Sequence, residues 1–308
     1  NTRILIIGAS GLVGSHVLAE ARARGHEVIG TYRNYPVEGL VRLDLGNEES
    51  TRALFDRERP DWIVHAAGWT WVDGCEKDPE RAFRENCEQP AMLARLCKAL
   101  GCRFVYFSTT YVFDGKSGPY SEEDVPNPIN VYAKSKWAAE QRIQEILGGQ
   151  ALIPRVICVW GKEVQEKNFV YQVIKAVHAG KPMRIPSDQE GNPTWAGDIA
   201  WWLILLMEVG KSGVWNLVGA SSRCSREEWL QDILSGLTFV EPILEDKLAN
   251  WQYEVLSTES LGQTAVRPLR AGGMSEKIQR QFHRESRSSK DISVLFEKAN
   301  AEGGIFKI

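Results

Sequence analysis

Short apolar runs recur through the first half of the chain, and longer stretches of helical periodicity separate them. Arg3–Ile7, His26–Arg33, Val41–Leu45, Asp61–His65, Arg103–Ser108 and Ala151–Val156 are each apolar or β-branched enough for a buried strand. Helical patterns fill the intervals to about Arg24, over 48–58, from about Pro79 to Leu100 and over 131–147. Strand–helix alternation at this cadence predicts an α/β fold, a doubly wound parallel sheet with right-handed crossovers. Past Gly161 the cadence changes. Helix 166–180, a short strand near Met183–Ile185, helix 197–209, strand 213–217, helix 225–236 and two terminal helices read as a smaller, mainly helical lobe. The expected division is a sheet domain over 1–160 and a lobe over 161–308, with some interleaving of segments. A lobe over the carboxyl edge of a sheet makes a cleft for a substrate larger than a cofactor's reactive end.

The first strand leads into Gly8-Ala9-Ser10-Gly11-Leu12-Val13-Gly14 and then a helix. Gly-x-x-Gly-x-x-Gly between strand and helix is a phosphate cradle, the mark of a Rossmann dinucleotide-binding domain. Gly8, Gly11 and Gly14 permit a tight turn and close approach, while the backbone at Ser10, Leu12 and Val13 faces a pyrophosphate. The second strand ends Thr31-Tyr32-Arg33, where an NAD-binding chain usually carries Asp or Glu for the ribose 2′-hydroxyl. A carboxylate would repel a 2′-phosphate and Arg33 can pair with it, so NADPH is the expected cofactor. Asp44 and Leu45 are expected to flank the adenine. The small residues Ala66, Ala67 and Gly68 let the backbone run beside the cofactor's ribose. Asn86, polar within an amphipathic helix, either hydrogen-bonds a broken strand near the site or faces water.

Ser108-Thr109-Thr110-Tyr111 would lie at the carboxyl end of the fifth strand, the edge where open α/β sheets bind ligands. Tyr132 and Lys136, spaced i, i+4 in a good helix sequence, share one helical face. A neutral phenol, of ordinary pKa about 10, can give a proton to an alkoxide forming from a ketone. A nearby ammonium stabilises the phenolate left behind, and a hydroxyl from Thr109 or Ser108 can hold the carbonyl oxygen. Tyr-x-x-x-Lys is a weak signal alone; the glycine cradle upstream gives it weight.

Composition narrows the class. The 308 residues are 43% hydrophobic and 25% charged, as in a globular protein. Lys and Arg number 37 against 40 Asp and Glu, a net charge of −3, which gives no basic field for nucleic acid or a membrane surface. The longest apolar run, Ile199–Met207, is about half a membrane span. No charged-then-apolar leader opens the chain, which starts without Met, and a trimmed sequence is expected. The six cysteines form no C-x-x-C or His-paired metal pattern, so reduced thiols and a cytoplasmic setting are expected. Of eleven tryptophans, Trp69, Trp71 and Trp160 fall on predicted loops near the site.

Taken together, these motifs resemble the extended short-chain dehydrogenase/reductases, and within them the dTDP-4-dehydrorhamnose reductase branch. The matching pieces are Gly8-x-x-Gly11-x-x-Gly14, Val72-Asp73-x-x-Glu76, Asn86, Ser108-Thr109-x-Tyr111-Val112-Phe113-Asp114-Gly115, Asn130-Val131-Tyr132-x-x-x-Lys136, Asp188-Gln189-x-x-x-Pro193-Thr194 and Arg267-Pro268. The resemblance implies NADPH-dependent reduction of a 4-keto group on a nucleotide-linked deoxysugar. It makes Tyr132 the proton donor, Lys136 the ligand of the nicotinamide ribose and Thr109 the residue that orients the ketone. It puts Ser108 at the cofactor and Arg267 near the sugar nucleotide. It also implies a homodimer.

The departures bear on the substrate. Thr110 stands where the branch usually has Asp, His65-Ala66-Ala67 replaces Asn-Ala-Ala, and Val156-Ile157-Cys158-Val159-Trp160 replaces Thr-Ser/Ala-Trp-Val-Tyr after an arginine. Thr110, Tyr111 and Trp160 are expected on the substrate side, so the sugar can differ while the reaction stays. Ser15 stands where metal-binding members carry Glu, and no metal is expected. A 4,6-dehydratase would need Asp-Glu after the catalytic Thr, and Thr110-Tyr111 supplies neither acid nor base. A nucleotide-sugar epimerase stays open, although epimerases commonly hold NAD through an acidic residue after the second strand. So does a non-catalytic NADP-binding regulatory subunit, since the methionine adenosyltransferase β subunit resembles the same branch.

Overall fold

A computed structural model describes residues 2–296. The chain begins β1 (Arg3–Ile7), α1 (Leu12–Ala23), β2 (Glu27–Tyr32), β3 (Val41–Arg42), α2 (Glu48–Glu58) and β4 (Trp62–His65). It continues α3 (Val72–Lys77), α4 (Pro79–Phe83), α5 (Gln89–Leu100), β5 (Arg103–Tyr106), β6 (Ser108–Thr109), α6 (Val131–Leu147) and β7 (Leu152–Val156). The main sheet runs β12-β7-β5-β4-β1-β2-β3, every pair parallel, with β6 also on β7. The β12 in that order is Gly213–Asn216.

The strands are continuously apolar because both faces are buried. Ile4, Ile6, Val64 and Val105 point to one side, against Val17 and Ala21 of α1 and Ile199 and Leu203 of α8 (Ala196–Glu208). Leu5, Ile7, Ile63, Phe104 and Tyr106 point to the other, against Phe55, Leu93 and Ile143. Alternate residues thus serve two cores, the strand period of two in three dimensions. Residues 196–216, which the change in cadence put with the lobe, return to the sheet as α8 and β12. The two units therefore interleave.

The lobe has its own core, in which Trp160, Phe169, Val173, Trp229, Leu230 and Ile233 meet. Its elements are β8 (Val159–Trp160), α7 (Phe169–Ala179), β9 (Met183–Pro186), β10 (Glu190–Gly191), β11 (Thr194–Trp195), β13 (Cys224–Ser225) and α9 (Arg226–Val240). Past Pro268 the described chain holds one short helix, Glu276–Gln281, and a 3-10 turn at Ile292–Leu295. Of the two terminal helices expected past Pro268, the described residues hold the one at Glu276–Gln281; residues 297–308 lie outside them.

The helix expected over 79–100 is interrupted by a π-helical turn at Arg84–Glu88. Pro90 explains it. Proline has no N–H to give the carbonyl four residues back, at Asn86. That carbonyl accepts instead from the Tyr106 hydroxyl at 3.0 Å.

Candidate active site

The glycine turn is built to hold something against bare backbone. Gly8 has φ +83°, and a Cβ there would lie 2.8 Å from Ala66 O and Ala67 N. A Cβ on Gly14 would meet Gly8 O at 2.0 Å. Gly14 thus seats α1 on β1 and does not face the cleft, although the motif put it with the cradle. Gly11 caps α1 without a side-chain hydrogen bond, and no acidic residue occupies the first turn. The N-terminal amides are free of competing side chains, which suits a pyrophosphate.

From this turn a cleft of about 1030 Å³ runs between sheet edge and lobe. Gly8, Ser10, Gly11, Leu12, Val13, Arg33, Leu45, Ala66, Ala67 and Gly68 line it, with Ser108, Thr109, Tyr111, Tyr132 and Lys136 beyond them. Asp44, Thr110, Trp160 and Arg267 do not. Asp44 turns back to accept from Gly46 N at 2.9 Å. Thr110 is fully buried in a 3-10 turn, against the backbone of Gly273. Trp160 is fully buried in the lobe core. The Arg267 guanidinium is tied to Asp73 at 2.8 Å and is 10% exposed. Burial pulls the Asp73 carboxyl upward, but Arg267 and the Ala265 N–H outweigh it and hold it below its ordinary value. Asp73 in this way fastens α3 to the C-terminal segment, while Glu76 accepts from Val131 N at 3.1 Å at the start of α6.

Asn130 begins α6, its side chain accepting from Ala133 N at 2.8 Å. This fixes the phase of the helix and so where Tyr132 and Lys136 point. Tyr132 is 9% exposed, in a cluster with Cys75 and Ala82 that Trp69, Val72 and Tyr111 border. Burial pushes its phenol well above its ordinary value, Cys75 and Tyr111 add to this, and the Thr109 side chain opposes. Tyr132 therefore stays protonated at neutral pH. Lys136 is 5% exposed and donates to Phe107 O at 2.6 Å. Burial pulls its ammonium down to about 8, against the pull of Glu140.

Glu140, two helical turns past Tyr132, anchors the floor of the site. It is fully buried, pairs with Arg155 at 2.8 Å and accepts from Ser108 Oγ at 2.6 Å. The Ser108 hydroxyl proton is thus spent inward, and Thr109 is left as the hydroxyl at the cleft surface. Continuing the i, i+4 series of Tyr132 and Lys136 to residue 140 would have found this carboxylate in the sequence. Asn86 is 1% exposed and pairs the loop after β4, accepting from Trp69 N at 2.8 Å and donating to Trp69 O at 3.0 Å and to Ser135 Oγ at 3.2 Å. Of its two readings, the broken strand holds.

At the other end of the cleft Arg33 is half exposed and donates to Glu85 at 2.7 Å. Glu85 is itself buried and also takes the Arg81 guanidinium. No acid directly follows β2 in sequence, yet the fold brings the Glu85 carboxylate there and neutralises it with two arginines. The net charge at this rim is positive.

The RmlD substrate-binding domain family matches residues 2–295. The chain belongs to that family. It is 31% identical over 284 residues to a dTDP-4-keto-6-deoxy-D-glucose reductase of Streptomyces niveus, an alignment covering 87% of this chain and 93% of that one. It is 34% identical over 200 residues to the methionine adenosyltransferase 2 subunit beta of Danio rerio, covering 64% and 61% of the two chains. The crystal structure of a Bacillus anthracis dTDP-4-dehydrorhamnose reductase in complex with NADP superposes with a TM-score of 0.81 at 26% identity, covering 94% of this chain and 96% of that one. The Rossmann-type sheet and the family expected from the motifs are thereby shown. No helix among the described residues is long and apolar enough to cross a membrane.

Proposed function

We propose that this protein is an NADPH-dependent oxidoreductase that reduces the 4-keto group of a nucleotide-linked deoxysugar. The observation that carries the reading is the buried, protonated Tyr132 sharing a cleft with the glycine turn. The relatives named as dTDP-sugar reductases and the NADP complex of the B. anthracis enzyme support it. The cradle at Gly8, where a Cβ would crowd the backbone of Ala66 and Ala67, and the positive rim at Arg33 fit a phosphorylated dinucleotide. Gly8, Ser10, Gly11, Leu12 and Val13 would hold its pyrophosphate, Arg33 its 2′-phosphate, Leu45 its adenine, and Ala66, Ala67, Gly68 and Lys136 its ribose. When bound, NADPH supplies a hydride to the carbonyl carbon. Thr109 holds the carbonyl oxygen and Tyr132 donates its proton to it. Lys136, one turn along the same face, offsets the phenolate that remains. The sheet domain thus serves the cofactor, and the lobe past Gly161, without the returning segment 196–216, covers the sugar nucleotide. Six free cysteines support a cytoplasmic setting. A homodimer, implied by the family resemblance, is checked by light scattering.

The test is loss of NADPH absorbance with dTDP-4-keto-6-deoxysugars. Tyr132→Phe is expected to lower turnover roughly a hundred- to ten-thousand-fold with NADPH binding intact. Unchanged turnover would overturn the role. The likeness to the methionine adenosyltransferase subunit supports a second reading, an NADP-binding regulatory subunit. Tight NADPH binding without turnover on any keto sugar would favour it.

A further inference from the structure

Five cationic side chains line the cleft. Arg33 and Arg81 share Glu85, Lys136 donates to Phe107 O, and Lys167 lies over the Tyr35 ring beside the loop after β2. The fifth, Arg226, has no carboxylate partner among the described residues. Its guanidinium stacks 4.7 Å from the Phe169 ring and 5.3 Å from the Trp229 ring. Its backbone N–H is spent on Gln189 O at 3.1 Å, and the reciprocal Ser225–Glu228 cap fixes the start of α9. The side chain therefore leaves the lobe from a rigid point. Burial raises both the Tyr111 hydroxyl and the Cys158 thiol above their ordinary values; the Arg226 charge opposes this at both, and at Tyr111 the Arg267 charge does so too. The Tyr111 ring in turn stands edge-on to Tyr132, with centroids 6.4 Å apart.

Tyr132, Tyr111 and Arg226 thus form a series from the proton donor to an uncompensated cation. A planar guanidinium braced by aromatic rings presents a fixed fork that matches a phosphate. We propose that Arg226 binds the diphosphate joining nucleoside to sugar, holding the pyranose beside Tyr111 and Tyr132. This rests on the nucleotide-sugar reading above. It gives Arg226 the contact expected of Arg267, whose charge Asp73 already satisfies.

The experiment titrates dTDP, UDP and thymidine into the NADPH-loaded protein by calorimetry. Arg226→Met keeps an apolar stem over Phe169 and Trp229 but removes the charge. It is expected to weaken the diphosphates by about ten- to a hundredfold, leaving thymidine and NADPH affinities and the melting temperature unchanged. Arg226→Lys should recover part of the loss. Wild-type protein that binds neither diphosphate would defeat the nucleotide-sugar reading, and this assignment with it. Wild-type binding that Arg226→Met matches would defeat only the assignment. So would equal losses for dTDP and thymidine, which mean that Arg226 merely staples α7 to α9.

Discussion

Lys136 is the residue at which function and stability are most plainly opposed. Its ammonium is 5% exposed, and burial takes it from an ordinary 10.5 down to about 8. That displacement corresponds to roughly 3 kcal/mol by which the folded state disfavours the charge at pH 7. Lys136→Met removes the charge and also the hydrogen bond to Phe107 O at 2.6 Å, a loss of about 1 kcal/mol. The variant should therefore be more stable than wild type by roughly 2 kcal/mol at pH 7, while losing turnover. The sign should change with pH. The unfolded lysine keeps its proton up to about 10.5, whereas the folded one releases it near 8, so between these values the unfolded chain binds more protons. Wild type recovers its 3 kcal/mol over that window and the variant does not. By the upper end the variant should be the less stable by about 1 kcal/mol, the missing hydrogen bond alone. Urea unfolding of both proteins without cofactor, followed by tryptophan fluorescence across pH 7 to 10, measures the difference directly. Subtracting one from the other cancels the other titrating groups. A difference that stays constant over this range would refute the reasoning, because a lysine without a depressed pKa has no such window.

Two further substitutions bear on the cofactor end and on the loop after β4. Arg33→Ala should weaken NADPH by about tenfold or more and NADH much less, read by fluorescence titration; equal losses would remove Arg33 from the 2′-phosphate. Asn86→Ala should cost about 1–3 kcal/mol in thermal unfolding, since Trp69 N–H and O lose their buried partner, and should raise the KM for the sugar nucleotide. An unchanged melting temperature would mean that the loop does not depend on this pairing.

Much of the site was legible because the chemistry is local. A turn at φ +83° with backbone 2.8 Å away must be glycine, so Gly8 is visible in the letters alone. Tyr132 and Lys136 lie one turn apart on a helix whose cap, Asn130, immediately precedes them, so their shared face follows from spacing. Legibility fails where a role depends on a partner far along the chain. Arg267 and Arg226 both stand in the C-terminal half, and nothing local separates them. Asp73, 194 residues before Arg267, takes up one charge, and the fold offers the other no carboxylate. The same holds at the cofactor rim. The residues after β2 promised no acid, but Pro90 breaks the regular hydrogen bonding of one long helix, and the π-helical turn that results carries Glu85 to Arg33 across 52 residues. Trp160 fails in the opposite direction, as an aromatic near a predicted loop that β8 and β11 pull into the lobe core. A cation is left for a ligand when the fold withholds its counter-ion, as at Arg226, or divides one carboxylate between two cations, as Glu85 is divided between Arg33 and Arg81, and that is a property of the whole packed chain.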